Sequence, residues 1–183
     1  EHGRTVRLDE WLSASPEPVA LQFIFTTCPG ICPTLTATLT ALGEKVPNLR
    51  RISISIDPEI DTPERLAEYE SRYGRSASWT LLTGSSDHSI VVQQAFGTYR
   101  GDKMKHLPLT LLRARGNAEW QRFEGFPKVD DLAAALAPKA LAVASRGRRL
   151  FRDGASEDGR VLEVSLGGGG ALKGRAAACA SCH

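Results

Sequence analysis

The sequence predicts an α/β protein with a mixed central sheet, helices on both faces of that sheet, and a short C-terminal extension. Short apolar stretches alternate with longer amphipathic ones, and proline, glycine or capping residues separate them. This alternation is typical of parallel strands joined by helices. The last two apolar stretches are close enough to form a hairpin, which makes one edge of the sheet antiparallel.

The strands are predicted from runs of apolar and β-branched residues. The second core strand alternates strictly between apolar and polar residues, which gives it one strongly apolar face. A short edge strand, Thr5–Trp11, is expected before the first core strand. The predicted core strands are Val19–Phe25, Arg51–Asp57, Trp79–Leu82, Leu109–Arg113 and Glu119–Phe123.

The helices are predicted from their end signals. Thr62, Pro63 and Glu64 supply a capping hydroxyl, a proline at the first helical position and an acid in the first turn. The predicted helices are Pro33 to about Leu42, Thr62 to about Tyr73, Ser86 or Asp87 to about Phe96, and Asp130 or Asp131 to about Leu136. The resulting order of strands and helices is thioredoxin-like, and it puts the end of the first core strand at the rim of the sheet.

Composition narrows the classes of function. The 183 residues, of which 42% are hydrophobic, suffice for one globular domain with a small addition. A net charge of +2 gives no support for nucleic-acid binding, and no apolar stretch is long enough to span a membrane. No signal peptide is visible at Glu1, and we expect that an export signal or membrane anchor precedes this point in the full-length protein.

Two cysteines lie where the first core strand ends and the next helix begins. Cys28 and Cys32 flank Pro29-Gly30-Ile31, and Pro33 follows. The N–H groups of a helix start favour a thiolate, and the four-residue spacing lets both sulfurs face a soft metal ion or close into a disulfide. The alternatives are a buried, inert pair or a plain stabilising disulfide.

A histidine would complete a trigonal copper site, and four are available. His2 lies at a frayed terminus, and helix capping explains the position of His88 without a metal. His106 lies just before the strand that neighbours the cysteine-bearing strand in a thioredoxin-like sheet. We therefore predict that His106 is the third ligand.

The segment from Phe25 to Pro33 resembles the signature of the Sco/SenC/PrrC family, and Ser55–Glu64 resembles that family's second motif. The resemblance covers roughly residues 8–136. It implies a thioredoxin-like, exported, membrane-anchored protein that carries copper to the CuA site of cytochrome c oxidase, although some members are thiol–disulfide reductases. By position, Cys28, Cys32 and His106 match the family's copper ligands.

Several nearby residues depart from the family pattern. The family's histidine usually follows aspartate and precedes serine or threonine, whereas here Lys105 and Leu107 flank His106. Leu107-Pro108 is placed like the cis-proline loop of thioredoxins, which favours thiol chemistry.

Asp57 and Asp61 are interpreted as strand-end and helix-cap acids rather than as supports or docking residues of the site.

The tail differs in composition, and we predict a domain boundary between 1–145 and 146–183. The tail contains a basic segment, Arg146–Arg149, and four glycines, Gly167–Gly170. Cys179, Cys182 and His183 fit the C-x-x-C-H pattern of haem c attachment, with a zinc site or a disulfide as alternatives. We expect the chain to be a fragment of a fusion to a c-type cytochrome, with haem c in the intact parent and not in this chain.

The sequence thus favours a periplasmic copper chaperone attached to the inner membrane. Its expected partners are the CuA-carrying subunit of cytochrome c oxidase and a periplasmic copper donor or thiol–disulfide partner. A periplasmic thiol–disulfide oxidoreductase using Cys28 and Cys32 catalytically is the alternative function, and a purely structural binding module is a third. An oxidised cysteine pair cannot bind copper, so metal delivery and redox state are coupled.

Overall fold

The computed structural model describes residues 5–14, 16–116, 119–137, 163–166 and 170–173. The chain divides into two compact units, Glu1–Ala137 and Pro138–His183. The helices are α1 Leu8–Ser13, α2 Ile31–Lys45, α3 Pro63–Arg72, α4 Ser86–Ala95 and α5 Val129–Leu136, with a 3-10 turn at Lys103–Lys105. The strands are β1 Val19–Ile24, β2 Arg50–Ser55, β3 Trp79–Leu82, β4 Leu109–Arg113, β5 Gln121–Glu124, β6 Glu163–Leu166 and β7 Gly170–Lys173.

The first unit is built on a five-stranded mixed sheet in the order β3-β2-β1-β4-β5. The three strands β1, β2 and β3 are parallel, whereas β4 runs antiparallel to β1 and β5 antiparallel to β4. The predicted mixed α/β fold is therefore confirmed, with the antiparallel hairpin at one edge.

Helices cover both faces of this sheet because buried side chains of the central strand β1 alternate between the two faces. Leu21 and Phe23 of β1 pack with Leu12 of α1, and partly buried residues of α4 join them. Ala20 lies on the opposite face with α2 and α5, where Leu39, Leu42, Leu132 and Leu136 bury their side chains. The core thus consists of two apolar layers separated by the sheet.

The predicted edge strand at Thr5–Trp11 is wrong, because residues 8–13 form α1. Leu8, Trp11 and Leu12 follow helical spacing, and all three pack against the sheet. Arg50 donates hydrogen bonds to the carbonyl of Trp11, and Arg113 donates one of 2.6 Å to the carbonyl of Leu12. These cations satisfy carbonyl groups that a short helix leaves free at its C-terminal end.

A polar network lies within the core between the sheet and helices α2 and α3. Gln22 Nε2 donates to Thr36 Oγ1 at 3.0 Å and to Ser53 Oγ at 2.9 Å. Ser53 Oγ also accepts from Trp79 Nε1 at 3.0 Å, and Thr36 Oγ1 lies 2.8 Å from the Tyr69 hydroxyl. The network joins β1, β2, β3, α2 and α3, which fixes how the helices lie on the sheet.

Within the second unit, β6 and β7 form an antiparallel hairpin in which Glu163 pairs with Lys173 and Leu166 with Gly170. Gly170, the last of the four consecutive glycines in the tail, begins β7. The boundary predicted between residues 145 and 146 stays a prediction, because residues 138–162 lie outside the described part of the chain. Among the described helices, none has the length and hydrophobicity needed to cross a bilayer.

Candidate metal centre

The strand arrangement brings the segment after β1 beside the segment before β4. These two strands are antiparallel, and Gln22 pairs with Thr110, so the end of β1 and the start of β4 lie at the same edge of the sheet. Cys28 and Cys32 follow β1, and His106 precedes β4. The sheet register therefore brings together side chains that are 74 to 78 residues apart in sequence.

Both cysteines are free thiols held at the start of α2. The helix begins at Ile31, two residues before the predicted start, and Gly30 provides no side chain to cap it. Cys28 Sγ instead accepts a 3.3 Å hydrogen bond from the N–H of Cys32, so the sulfur takes the place of a capping oxygen. Cys28 is 8% exposed and Cys32 is fully buried.

His106 directs Nε2 toward both sulfurs. Nε2 lies 3.5 Å from Cys32 Sγ and 3.9 Å from Cys28 Sγ. Nδ1 lies 2.9 Å from the carbonyl oxygen of Lys103, which can only accept, so Nδ1 carries the proton and Nε2 keeps its lone pair. The Phe25 ring packs edge-to-face against the imidazole of His106, with centroids 5.1 Å apart. The free nitrogen therefore has the protonation state of a metal ligand.

The three donor atoms lie within 4.8 Å of one another, and within the described residues no further His, Cys, Asp or Glu joins this cluster. Bonds of roughly 2.3 Å to sulfur and 2.0 Å to nitrogen at trigonal angles would separate the donors by about 3.7 to 4.0 Å. The two sulfur–nitrogen distances of 3.5 and 3.9 Å are close to that spacing. Thiolates are soft donors that suit Cu(I), and imidazole also suits copper.

Burial has opposite effects on the pKa values of two of the donors. It raises the pKa of the Cys32 thiol well above its ordinary value, an effect that outweighs a hydrogen bond from the backbone at Phe25. The expectation that the helix start lowers the thiol pKa is therefore wrong for Cys32. Burial lowers the pKa of His106, against a smaller opposing effect of the Lys103 carbonyl, so the imidazole stays neutral at lower pH.

The cysteine loop is tied to the neighbouring strand by Asp61, which is fully buried. Its carboxylate accepts hydrogen bonds from the Thr26 N–H at 3.1 Å, the Thr26 hydroxyl at 2.5 Å and the Ser55 hydroxyl at 2.6 Å. The interpretation of Asp61 as a helix cap is wrong, because Thr62 caps α3 by accepting from the N–H of Arg65. Asp61 instead supports the loop that carries Cys28.

Asp57 lies two residues after the end of β2 rather than at the predicted strand end, and its carboxylate contacts Lys103, which no sequence pattern singles out. Lys103 Nζ lies 2.5 Å from Asp57 Oδ2. The pairing raises the pKa of Lys103, and so the ammonium stays charged. No local pattern in the sequence indicates this contact, because it joins positions 46 residues apart.

The other predicted residues lie apart from this cluster or outside the described part of the chain. The N–H of His88 bonds to the capping hydroxyl of Ser85, and its side chain lines a cavity of about 1150 Å³ along β3 that includes none of the three donors. His2, Cys179, Cys182 and His183 lie outside the described residues. The described peptide bonds include no cis bond, so the cis-proline suggested at Pro108 is wrong.

Known proteins resemble this chain in sequence and in fold. The sequence profile of the SCO1/SenC family matches residues 6–134. The SCO1 protein homolog of Bacillus subtilis (strain 168) is 38% identical over 95 residues, 49% of this chain and 48% of that protein. The chain thus spans about half the length of this curated relative.

Two solved structures share the fold. BsSco, described as a member of the Sco family of cytochrome c oxidase assembly proteins with a disulfide switch, superposes with a TM-score of 0.60 at 29% identity, covering 73% of this chain and 84% of BsSco. ScoI of Bradyrhizobium japonicum with copper bound gives a TM-score of 0.53 at 26% identity, covering 68% of this chain and 86% of ScoI. With a family match across most of its length and these structural neighbours, the chain belongs to the SCO1/SenC family.

Proposed function

We propose that this protein binds one Cu(I) ion through Cys28, Cys32 and His106 and carries it to the CuA site of cytochrome c oxidase. The observation that carries the proposal is the convergence of two free thiols and the unprotonated Nε2 of an imidazole within 4.8 Å. Binding requires deprotonation of both thiols, and the short contacts leave little rearrangement to be made. Membership of the SCO1/SenC family supports copper as the metal.

The test is an anaerobic titration of the reduced protein with Cu(I) against a competing chelator. We expect one equivalent to bind, and His106→Ala to weaken binding by at least about ten-fold because a trigonal site loses one donor. His88→Ala is the matched control and should bind like the wild type. Equal affinity of the His106→Ala and wild-type proteins would contradict the assignment. Transfer of the bound copper to an isolated CuA subunit then tests the delivery step.

The second candidate function is a periplasmic thiol–disulfide oxidoreductase that uses the same two cysteines. Both are free, their sulfurs lie within 4.8 Å, and the related BsSco has a disulfide switch. Cys28 is the more exposed and would attack, whereas Cys32 is buried and would resolve the mixed disulfide. Catalytic reduction of a disulfide substrate that is lost in Cys28→Ser and retained in His106→Ala would favour this function over metal delivery.

We also propose that the parent protein is a periplasmic, membrane-attached fusion in which residues 1–145 form the copper domain and 146–183 begin a c-type cytochrome. The support is the C-x-x-C-H pattern of Cys179, Cys182 and His183. Two thiols would form thioether bonds to haem, and the histidine would be an axial ligand. A pyridine haemochrome spectrum of the parent protein, compared with its Cys179→Ser/Cys182→Ser variant, tests this assignment.

A further inference from the structure

The ion pair between Asp57 and Lys103 lies directly beside the candidate metal centre. Its carboxylate follows β2, and its ammonium belongs to the 3-10 turn that leads into β4. The side chain of Asp57 is 10% exposed and that of Lys103 39% exposed, so the pair is shielded on the carboxylate side. A shielded pair with a 2.5 Å contact restrains its two segments more than a fully exposed pair does.

Lys103 also contacts His106 through its own backbone. The carbonyl oxygen of Lys103 accepts from both His106 Nδ1, at 2.9 Å, and His106 N, at 3.2 Å. The two bonds fix the imidazole relative to the turn. The direction of Nε2 is therefore fixed only if the turn itself is held in place.

The side chain of Lys103 holds that turn on the end of the sheet. Its ammonium lies 5.7 Å from the centroid of the Phe25 ring, and the same ring packs edge-to-face against His106. Lys103 thus contacts Asp57 after β2, Phe25 after β1, and His106 before β4. Lys103 therefore connects the ends of three adjacent strands beside His106, the third donor of the candidate metal centre.

We propose that Lys103, anchored by Asp57, is a positioning residue that aims His106 Nε2 at the two sulfurs. The inference rests on the proposed Cu(I) binding, and it assigns to this ion pair the role that hydrogen-bond partners behind a ligand have in many metal sites. Lys105 lies in the same turn, carries the same charge and is exposed, and among the described residues no ion pair involves it.

The test compares the Cu(I) affinities of Lys103→Gln, Asp57→Asn and Lys105→Gln with that of the wild type. We expect the first two variants to bind about ten-fold more weakly and Lys105→Gln to stay within about two-fold. Because Lys103→Gln and Lys105→Gln remove the same charge from the same turn, the comparison separates anchoring from electrostatic repulsion of the cation. Lys103→Arg should restore most of the affinity, since a guanidinium can also pair with Asp57.

A double-mutant cycle shows whether the effect passes through the imidazole. In a His106→Ala background, Lys103→Gln should cause no further loss of affinity. An equal loss in both backgrounds, or equal affinities of Lys103→Gln and Lys105→Gln, would overturn the proposal.

A copper-free readout keeps this inference separate from the proposed function. Imidazole ¹⁵N NMR of the reduced, metal-free protein should show the Nδ1-protonated tautomer of His106 in the wild type and a mixture of tautomers in Lys103→Gln. An unchanged tautomer in that variant would count against positioning, even if the wild-type protein bound no Cu(I). If the wild-type protein bound no Cu(I) but the tautomer of His106 changed in Lys103→Gln, only the proposed function would be contradicted.

Discussion

Asp61 accepts hydrogen bonds from both the N–H and the hydroxyl of Thr26, although 35 residues separate the two. Thr26 begins the loop that leads to Cys28, and Asp61 lies before α3. The Asp61 carboxylate therefore holds the cysteine loop in place from the segment that connects β2 to α3. Asp61 Oδ2 shares the Thr26 N–H with Oδ1 and also accepts from the Ser55 hydroxyl, so both buried oxygens have hydrogen-bond donors.

Asp61→Asn should lower both stability and copper affinity. The amide replaces one acceptor with a donor that faces the hydroxyl and N–H donors of Thr26 and Ser55. We expect a loss of about 1–3 kcal/mol in the free energy of unfolding. Urea denaturation of the reduced, metal-free protein measures it, with the exposed helical residue Glu68→Gln as the control, which should cost less than about 1 kcal/mol. Equal losses in the two variants would contradict the role of Asp61.

Stability of the reduced, metal-free protein should fall as the pH rises above about 8.5. Burial raises the pKa of the Cys32 thiol in the folded state. Above about pH 8.5 the unfolded chain therefore loses a proton that the folded protein retains. This thiol's contribution is fully present below the unfolded pKa and decreases by up to about 1.4 kcal/mol per pH unit above it. Unfolding free energies of wild type and Cys32→Ala from about pH 7 to about pH 10 measure the difference in slope; parallel curves would contradict it.

Binding of Cu(I) should stabilise the fold. The three donors converge only in the folded chain, whereas the unfolded chain keeps only the local cysteine pair. At a free Cu(I) concentration about 100 times the dissociation constant, the free energy of unfolding should rise by up to about 2.7 kcal/mol. Anaerobic denaturation in a Cu(I) buffer measures this gain, which a chelator should reverse. His106→Ala should gain less at the same free Cu(I), and an identical gain would exclude the imidazole as a ligand.

Ser53→Ala should destabilise the fold without affecting the metal centre. The Ser53 hydroxyl accepts from both Gln22 Nε2 and Trp79 Nε1, and its removal leaves the buried indole N–H without this partner. We expect a loss of about 1–3 kcal/mol in urea denaturation and a Cu(I) affinity within about two-fold of wild type. The control, Ser71→Ala, removes an exposed helical hydroxyl and should change stability by less than about 0.5 kcal/mol.

Local patterns predicted much of this molecule. The alternation at β2 and the Thr62-Pro63 start of α3 depend only on neighbouring residues, and both elements form within about two residues of their predicted bounds. Thioredoxin-like order was enough to single out His106 as the histidine beside the cysteine loop. That these three side chains bind metal stays a prediction, although the fold brings them together.

The remaining features depend on tertiary contacts that a linear pattern does not contain. The spacing of Leu8 and Leu12 suits a helix, but α1 has only 6 residues, too few for a periodic pattern to distinguish a helix from an edge strand. The roles of Asp61 and Lys103 follow from the register between strands that are far apart in sequence, which brings each side chain to a partner 35 or 46 residues away. From the linear sequence, such a residue cannot be distinguished from an ordinary solvent-exposed charged residue, because only the pairing of the strands brings its partner close.

The three side chains of the candidate metal centre lie at different depths, and under the proposed function this difference would set the order in which they release copper. Cys32 is fully buried within the first turn of α2, Cys28 is nearly buried, and His106 follows an exposed turn. If the protein transfers Cu(I) as proposed, an incoming thiolate would reach the ion from the His106 side, and Cys32 would be the last donor to leave. Transfer in that order would exchange one donor at a time, so the ion would not have to pass through bulk water.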